Sequence, residues 1–365
     1  TRYAFMTGEY AWRKQGTGIL PGTAGLIIEP GRTTVPSLLK RAGYVTAVIG
    51  KWHLGLGKTP TDYNTEIKPG PLEIGFDYAW IIPATGDRTP CVWVENHRVV
   101  NLDPTDPIKL DYSVQRGEPR SFVGGVPRIG EQLGGKAALW KDDMIADVLA
   151  EKSIKFIEDN KNKPFFLYLA HGAPHEPWQG RDPAKKRSAA VTYQEMIETL
   201  DESVGAVLSA LHEHGLEKKT LVIFCSDNGP DAPTGFRANG ALQGKKGSMF
   251  EGGHRVPCVA SWPGVIPGGL KHDVTAMTMD FLPTFAKLAG ATLPAGYLSD
   301  GVDLLPSLKD GAKTAERALH WQHDQGWAVR KGPWKLIGKG QSPQVLVNLD
   351  EDLSEKVNRM QQNPG

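Results

Sequence analysis

Reactive polar side chains follow directly after three apolar runs in this sequence. The first run, residues 45–49 (VTAVI), leads to Lys51 and His53, a cation and a proton carrier two positions apart. In an extended segment, two residues at that spacing point to the same side of the chain. Together they suit the binding of one ligand and the transfer of a proton. Each alone is more often a solvated lysine or a hydrogen-bonded structural histidine.

The second and third runs lead to histidines and to hard oxygen ligands. Residues 165–170 (FFLYLA) precede His171 and His175. Nearby prolines argue against a helical metal pair, so each is either a structural histidine or a loop acid or base. Residues 221–225 (LVIFC) precede Asp227 and Asn228, whose oxygens suit Ca²⁺ or Mg²⁺. These two would fill only part of a shell of about six to eight oxygens, and Asp-Asn-Gly is also strong turn chemistry.

A short cationic loop completes the candidate set. Lys245 and Lys246 lie between Gly244 and Gly247, and glycines permit close approach of the backbone to a ligand. Paired lysines are more often simple surface charge. In open α/β sheets, ligands bind outside the carboxyl ends of the strands. Because polar residues begin where each apolar run ends, the sequence predicts that these groups converge at one edge of a sheet.

The apolar runs alternate with stretches of helical period. Strand candidates are residues 45–49, 165–170, 221–225 and 256–262, and helix candidates are residues 36–42, 144–157, 193–211 and 279–289. This alternation predicts an α/β fold with a mostly parallel central sheet flanked by helices on both faces.

Two regions depart from that alternation. Residues 56–135 are rich in Gly, Pro and Asp and are predicted to form a pocket-shaping insertion above a sheet edge, with Asp87, Arg88 and Trp93 as candidate pocket residues. Near the chain end, residues 327–330, 334–337 and 345–349 are short strand candidates. The predicted division is a catalytic domain over residues 1–311 and a small antiparallel α+β subdomain over residues 312–365.

Bulk composition excludes some classes of function. The 365 residues include 40% hydrophobic and 23% charged residues with a net charge of +1, which is ordinary for a globular enzyme and gives no sign of a nucleic-acid partner. No apolar run reaches the roughly 18 to 20 residues that cross a bilayer, so no membrane span is predicted. Cys91, Cys225 and Cys258 are scattered and are predicted to be small buried hydrophobic residues.

Six ordered blocks together resemble the sulfatase family, within the alkaline-phosphatase-like superfamily. They are TRYAFMTGEY at residues 1–10, GKWHLG at 50–55, APHEP at 173–177, DNGP at 227–230, GKKGSMFEGGHRVP at 244–257, and the tail at 348–358. The first block resembles the end of the family's Cys-x-Pro-x-Arg signature. The number and order of the blocks make the resemblance specific.

The resemblance implies an enzyme that hydrolyses sulfate monoesters, on an aryl group or a carbohydrate, to alcohol and inorganic sulfate. The family uses a formylglycine nucleophile and a divalent cation, Ca²⁺ in preference to Mg²⁺. Asp227 and Asn228 would be metal ligands. A formylglycine-generating maturation enzyme would be a partner.

The resemblance also assigns roles to five side chains. Arg2 and Lys51 would hold the formylglycine and neutralise charge, and His53 would take a proton from its hydrated form. His175 and Lys246 would contact the sulfate, and one of them would protonate the leaving oxygen. His175 occupies the position in its block that matches the family, which favours it over His171.

The modified cysteine, further metal ligands and the first strand are expected upstream of Thr1, so the chain is interpreted as a fragment that is inactive by itself. Export to the periplasm, the cell exterior or a lysosome-like compartment is implied by the family alone. Two other interpretations stay open: a phosphatase or phosphonate-ester hydrolase of the same superfamily, and a non-catalytic relative that binds sulfated ligands.

Overall fold

The computed structural model describes residues 1–182, 185, 187–231 and 239–362. Its helices are α1 (Arg2–Thr7), α2 (Val35–Arg41), α3 (Ile145–Asn160), α4 (Ala189–Glu213), α5 (Glu251–His254), α6 (Phe281–Leu288) and α7 (Leu305–Asp310). Its strands are β1 (Val45–Lys51), β2 (Tyr78–Ile82), β3 (Val94–Glu95), β4 (Arg98–Val99), β5 (Lys109–Asp111), β6 (Phe122–Val123), β7 (Val126–Pro127), β8 (Glu131–Leu133), β9 (Phe165–Ala170), β10 (Val222–Cys225), β11 (Cys258–Ser261), β12 (Leu319–His323), β13 (Gly326–Lys331), β14 (Trp334–Lys339) and β15 (Ser342–Asn348). No helix within these described ranges is long and apolar enough to span a membrane.

The described chain forms two compact units. The large unit comprises Arg2–Lys218 and Met277–Asp303, and the small unit comprises Thr1, Lys219–Ala276 and Leu304–Gly365. The predicted boundary between residues 311 and 312 lies inside the small unit and stays a prediction, and residues 363–365 of that predicted subdomain lie outside the described residues.

The large unit is built on a five-stranded sheet in the order β4-β3-β2-β1-β9. Strand β1 runs parallel to both β2 and β9, while β3 and β4 extend the sheet as antiparallel strands. Alternate residues of β1 enter different cores: Val48 packs in the cluster that contains Trp52, whereas Ala47 and Ile49 pack in the cluster that contains Leu149 of α3. Both faces of the strand are therefore buried, as the continuous apolar run predicted.

The predicted fold class is confirmed, with one correction to the segment that was interpreted as an insertion. Residues 78–82 form β2, which pairs with β1 in parallel and belongs to the central sheet. The prediction that residues 56–135 lie above a sheet edge is wrong for this strand and for β3 and β4, which extend the same sheet. The apolar residues of β2 were hidden among glycines and prolines. The antiparallel pairs β5–β8 and β6–β7, also within that segment, form separate two-stranded sheets.

The small unit contains two antiparallel sheets, and here the sequence predictions are mixed. Strands β12 to β15 form the expected antiparallel sheet near the chain end. Strands β10 and β11 were expected to be buried, but among the described residues they pair only with each other, and Phe224 and Val259 are 44% and 61% exposed. Cys91 is buried as predicted, whereas Cys225 and Cys258 are exposed, so the prediction was wrong for those two.

Gly50 allows β1 and β9 to lie side by side at the end that carries Lys51. Its φ is +113°, in the region that favours glycine, and a Cβ atom there would lie 2.1 Å from the Ala170 carbonyl oxygen. Gly43, which follows α2, also has a positive φ of +87°, but a Cβ atom there would meet nothing within 4 Å.

These two glycines give a matched test of the strand contact. We expect Gly43→Ala to lower the free energy of unfolding by about 1–2 kcal/mol through backbone strain alone. Gly50→Ala should cost roughly 3 kcal/mol or more, because a steric clash adds to the strain. Urea unfolding of both variants measures the difference. Equal costs at the two positions would contradict the packing described for β1 and β9.

Candidate active site

Lys51 and His53 lie at the carboxyl end of β1, held there by the neighbouring strand. After β1 ends, the backbone N–H groups of Trp52 and His53 donate to the carbonyl oxygens of Ile82 (2.9 Å) and Pro83 (3.1 Å), at the end of β2. Trp52 is fully buried, and its Nε1 donates to the Gly55 carbonyl oxygen at 2.8 Å. These contacts hold His53 in the left-handed region (φ +54°), a conformation that costs a non-glycine residue roughly 1–2 kcal/mol.

His53 stands among positive charges and is kept neutral. Burial and the charges of Lys51, Arg2 and Arg88 lower the pKa of His53 to about 3, although its hydrogen bond to Leu20 opposes this shift. Nε2 of the ring lies 2.9 Å from the Leu20 carbonyl oxygen, which can only accept. Nε2 therefore carries the proton, and Nδ1 carries the lone pair of the neutral ring.

Asp87, which is buried, and Arg88, which is half-buried, form an ion pair just beyond the carboxyl end of β2. Arg88 donates to Asp87 Oδ1 at 2.9 Å and to Thr85 Oγ1 at 2.8 Å, and Thr85 donates to Asp87. Burial would raise the pKa of Asp87, but the Thr85 hydrogen bond and the charges of Arg88, His175 and Arg116 outweigh it and lower that pKa. The negative charge of Asp87 thus acts on His175, while the positive charge of Arg88 acts on His53.

His171 and His175 follow β9 and differ in their surroundings. Burial lowers the pKa of His171 to about 4, and its Nδ1 accepts a hydrogen bond from the Ala173 N–H at 3.2 Å. Its buried Nε2 has no hydrogen-bond partner within the described ranges. His175 instead places Nδ1 2.8 Å from the Glu176 carbonyl oxygen, so Nδ1 carries a proton and Nε2 is the second ring position.

A cleft lies at the carboxyl ends of β2 and β9. Its walls include Ile82, Gly86, His171, His175 and Arg181. The lining combines apolar residues such as Ile82 with the imidazole rings of His171 and His175 and the guanidinium group of Arg181. The cleft is therefore a candidate binding site for a polar substrate next to the Asp87–Arg88 pair.

The small unit carries the two proposed metal ligands at the end of β10. The Asn228 amide Nδ2 donates to the Gly229 carbonyl oxygen at 2.8 Å, which leaves Oδ1 as the atom that suits a cation. The Asp227 carboxylate and this amide oxygen are hard donors that fit Ca²⁺ or Mg²⁺. Over residues 1–182, 185, 187–231 and 239–362, no group of three or more His, Cys, Asp or Glu side chains forms a metal site.

Lys246 lies beside these ligands within the small unit. Its backbone N–H donates to the Pro230 carbonyl oxygen at 2.9 Å, and its Nζ lies 3.7 Å from Asp231 Oδ2. Gly229 donates to the Gly253 carbonyl oxygen at 2.9 Å, and a Cβ atom at Gly229 would lie 1.8 Å from Gly252 O. Only glycine fits there. The chain after Lys246 is thus packed directly on the segment that carries Asp227 and Asn228.

A buried charge network supports this segment and was not anticipated from the sequence. Lys335 is fully buried, and its Nζ donates to Glu251 and Glu355, each at 2.9 Å, and lies 3.1 Å from Nε2 of His254. Burial, followed by the Lys335 charge, lowers the pKa of His254 to about 4. A lysine within a strand resembles surface charge in a sequence, so Lys335 carried no signal. Its partners lie in two of the blocks, Glu251 and His254 at residues 244–257 and Glu355 at residues 348–358.

The comparisons with known proteins agree with the resemblance seen in the sequence. The family model described as Sulfatase matches residues 1–291. The chain belongs to the sulfatase family. An N-acetylgalactosamine-6-O-sulfatase of Bacteroides thetaiotaomicron is 36% identical over 411 residues, which cover 100% of this chain and 80% of that protein. Human arylsulfatase A is 31% identical over 350 residues, covering 92% of this chain and 64% of that protein.

Solved structures of similar fold support the same assignment. One, from work on the metabolism of multiple glycosaminoglycans by Bacteroides thetaiotaomicron, has a TM-score of 0.93 and 35% identity, and covers 100% of this sulfatase chain and 85% of its own. Another is Ps i-CgsB in complex with k-i-k-neocarrahexaose. It has a TM-score of 0.74 and 27% identity, and the match covers 100% of this chain and 78% of that protein's chain. The chain spans 53% to 64% of the length of several mammalian relatives.

Acid should destabilise the protein through His53. Between pH 6.5 and pH 4 the unfolded chain binds a proton at this histidine, while the folded protein, with its pKa near 3, does not. The free energy of unfolding should therefore fall as pH falls, and His53→Gln should reduce that slope by up to about 1.4 kcal/mol per pH unit. Denaturant unfolding at several pH values measures it.

The same experiment contains its own control. Above pH 7 His53 is neutral in both states, so the curves of the two proteins should run parallel there. Parallel curves throughout the acidic range would contradict the assignment of a buried, neutral His53.

Proposed function

We propose that this sulfatase hydrolyses sulfate monoesters of carbohydrates, releasing the sugar hydroxyl and inorganic sulfate. The observation that carries the proposal is the environment of His53: a neutral imidazole surrounded by Lys51, Arg2 and Arg88 at the carboxyl end of β1. Positive charge at such an edge is suited to an anionic group, and a neutral ring is suited to accept a proton.

His53 is the proposed general base. Its Nε2–H is engaged by the Leu20 carbonyl oxygen, so Nδ1 is the atom that accepts a proton. Because burial and three cations disfavour the charged ring, a proton gained at Nδ1 is released readily. An anion bound beside the cations would offset part of their repulsion of a protonated His53. It would therefore favour protonation of Nδ1 while the anion is bound.

Lys51 and Arg2 are the proposed charge-stabilising groups. Lys51 is buried at the last position of β1, where its backbone pairs with Ile82 of β2. Fixed positive groups stabilise the negative charge that develops on sulfuryl oxygens, and they do so more strongly in a buried site than in water. Arg2 acts on the same region, as its effect on His53 indicates.

His175 is the proposed general acid for the leaving oxygen. Its Nδ1–H is held by the Glu176 carbonyl oxygen, so Nε2 is the position of a transferable proton. Asp87 is buried nearby, and its attraction for the ring exists only while the ring is protonated. Opposite surroundings for two histidines, cations at His53 and a carboxylate at His175, support opposite roles as base and acid.

Asp227 and Asn228 are the proposed ligands of Ca²⁺, and Lys246 is proposed to bind the sulfate group. When present, Ca²⁺ and the formylglycine of the family would supply charge stabilisation and the attacking oxygen. Asn228 would present Oδ1, since its Nδ2 is bonded to Gly229. Lys246 is half-buried beside Asp231, whereas its neighbour Lys245 is exposed.

Sulfated amino sugars of the glycosaminoglycan class are the proposed substrates. The support is the 36% identity to an N-acetylgalactosamine-6-O-sulfatase over the whole chain, together with a cleft whose lining includes the polar side chains of His171, His175 and Arg181. We further propose that the protein acts in the periplasm or outside the cell after modification by a formylglycine-generating enzyme.

The proposal is tested with protein made from the complete gene together with its maturation enzyme. We expect sulfate release from N-acetylgalactosamine 6-sulfate, at a rate well above phosphate release from 4-nitrophenyl phosphate, and loss of that activity after chelation of Ca²⁺. His53→Ala should lower kcat by about 10²–10⁴-fold. His97→Ala, which alters a histidine paired with Glu73, serves as the matched control and should keep near-normal activity.

Other outcomes have distinct meanings. Faster phosphate release would replace the proposal with a phosphatase of the same superfamily. Tight binding of the sulfated sugar without turnover, despite a confirmed formylglycine, would replace it with a binding protein. Activity that is unchanged in His53→Ala would remove the proposed base.

The two adjacent lysines give a second matched pair. Lys246→Ala should lower kcat/KM by roughly 10²–10³-fold, since it removes a charge proposed to contact the transferred group. Lys245→Ala should stay within a few-fold of the wild type, because that side chain is exposed and its backbone N–H bonds Ser248. Steady-state kinetics of both variants measure kcat/KM. Equal decreases in kcat/KM for the two variants would show that the loop contributes only general positive charge.

A further inference from the structure

Cys225 and Cys258 face each other across a strand pair. Cys225 is the last residue of β10 and Cys258 is the first residue of β11, and the antiparallel register sets them directly opposite. Both thiols are exposed. Directly opposed residues of an antiparallel pair place their side chains on the same face of the sheet.

The hydrogen-bond pattern identifies the kind of pair. Opposed residues in an antiparallel ladder alternate between hydrogen-bonded and non-hydrogen-bonded pairs. The Ser226 N–H donates to the Pro257 carbonyl oxygen at 3.2 Å, so the pair next to the cysteines is the hydrogen-bonded one. The Cys225–Cys258 pair is therefore non-hydrogen-bonded, with Cα atoms about 4.5 Å apart. That separation lies within the range of about 4.4–6.8 Å that a disulfide requires.

Side chains of directly opposed residues in a non-hydrogen-bonded pair lie close together, so the two thiols are neighbours on one face of the strand pair. The third cysteine, Cys91, lies buried in the large unit and contacts the Arg88 carbonyl oxygen instead. We propose that Cys225 and Cys258 are a modification site that forms an intramolecular disulfide under oxidising conditions.

The reaction needs an oxidant, for which we name a small-molecule disulfide of the oxidised-glutathione class. One cysteine attacks the small disulfide and releases one small thiol, and the second cysteine then attacks the resulting mixed disulfide and releases the other. Two S–H bonds are lost and one S–S bond forms. The two electrons reduce the small disulfide to two thiols, which also take up the two protons.

The disulfide would close the loop of residues 226–257. This loop contains Asp227, Asn228 and Lys246, the small-unit residues to which the proposed function assigns roles. Closing a loop of this length restricts the unfolded chain and raises the unfolding temperature. Oxidation would thus stabilise the segment on which the proposed metal ligands and sulfate-binding lysine lie. The bond itself can be tested without reference to activity.

Peptide mass spectrometry of the complete protein tests the proposal. The protein is equilibrated with oxidised and reduced glutathione, blocked with N-ethylmaleimide after denaturation, and digested with trypsin. We expect residues 220–237 and 256–271 to appear as one linked species, two hydrogen atoms lighter than the sum of the peptides, that disappears on reduction. The peptide that contains Cys91 should carry the maleimide. Recovery of residues 220–237 and 256–271 as separate maleimide-labelled peptides from the oxidised sample would overturn the proposal.

Thermal unfolding provides a second measurement. Oxidation should raise the unfolding temperature by roughly 5 °C, and the double variant Cys225→Ala/Cys258→Ala should show no change between oxidising and reducing conditions. Cys91→Ala should retain the full shift. A shift that persists in the double variant would assign it to other groups and overturn the proposal, and should that variant not fold, the mass measurement on the wild type stands by itself.

Discussion

The parallel pairing of β1 with β2 and β9 is the constraint on which the large unit's site depends. Because all three strands run in the same direction, the residues after them emerge at one edge: Lys51 and His53, then Asp87 and Arg88, then His171 and His175. Backbone hydrogen bonds continue past the end of β1, from Trp52 and His53 to the end of β2. The same pairing requires glycine at position 50, where a side chain would strike β9.

The charges that this edge collects give two of its histidines, His53 and His175, different surroundings. Three cations act on His53, and a proton there adds repulsion, whereas the charge of His175 is among the groups that lower the pKa of Asp87. The Asp87–Arg88 pair stands at the centre of this arrangement, since one member acts on each histidine. In the small unit, the network of Lys335, Glu251 and Glu355 also pairs charged groups, but its role is structural. Its charges are buried and mutually bonded, and such a network is strongly destabilised when one partner is removed.

Parts of this arrangement could be predicted from the sequence because local patterns determine them. Continuous apolar runs predicted β1, which is buried on both faces, and β9, whose residues are mostly half-buried. Short strand candidates at residues 327–330, 334–337 and 345–349 predicted the last sheet. The family resemblance rested on six blocks in a fixed order. That order identifies the family even though each single motif is ambiguous. The prediction of the site residues themselves remains to be tested by experiment.

Other parts depend on pairing that no local pattern reveals. The strand at Tyr78–Ile82 was hidden in a region of glycine and proline, and its role became evident only through its register with β1. Apolar sequence predicted burial for β10 and β11, but burial is set by what packs on a strand, and these two are exposed. Asp87 was only a candidate among pocket residues, because its charge acts on His175 through contacts between distant segments.

The most direct test of this account is a crystal structure of the complete protein, inactivated by His53→Gln, with N-acetylgalactosamine 6-sulfate bound. The account predicts the sulfate group within hydrogen-bonding distance of the Lys51 Nζ and the ester oxygen within reach of the His175 Nε2. A sugar bound with its sulfate directed away from both residues, or its hydroxyl groups occupying those contacts, would contradict the proposed roles of this edge of the sheet.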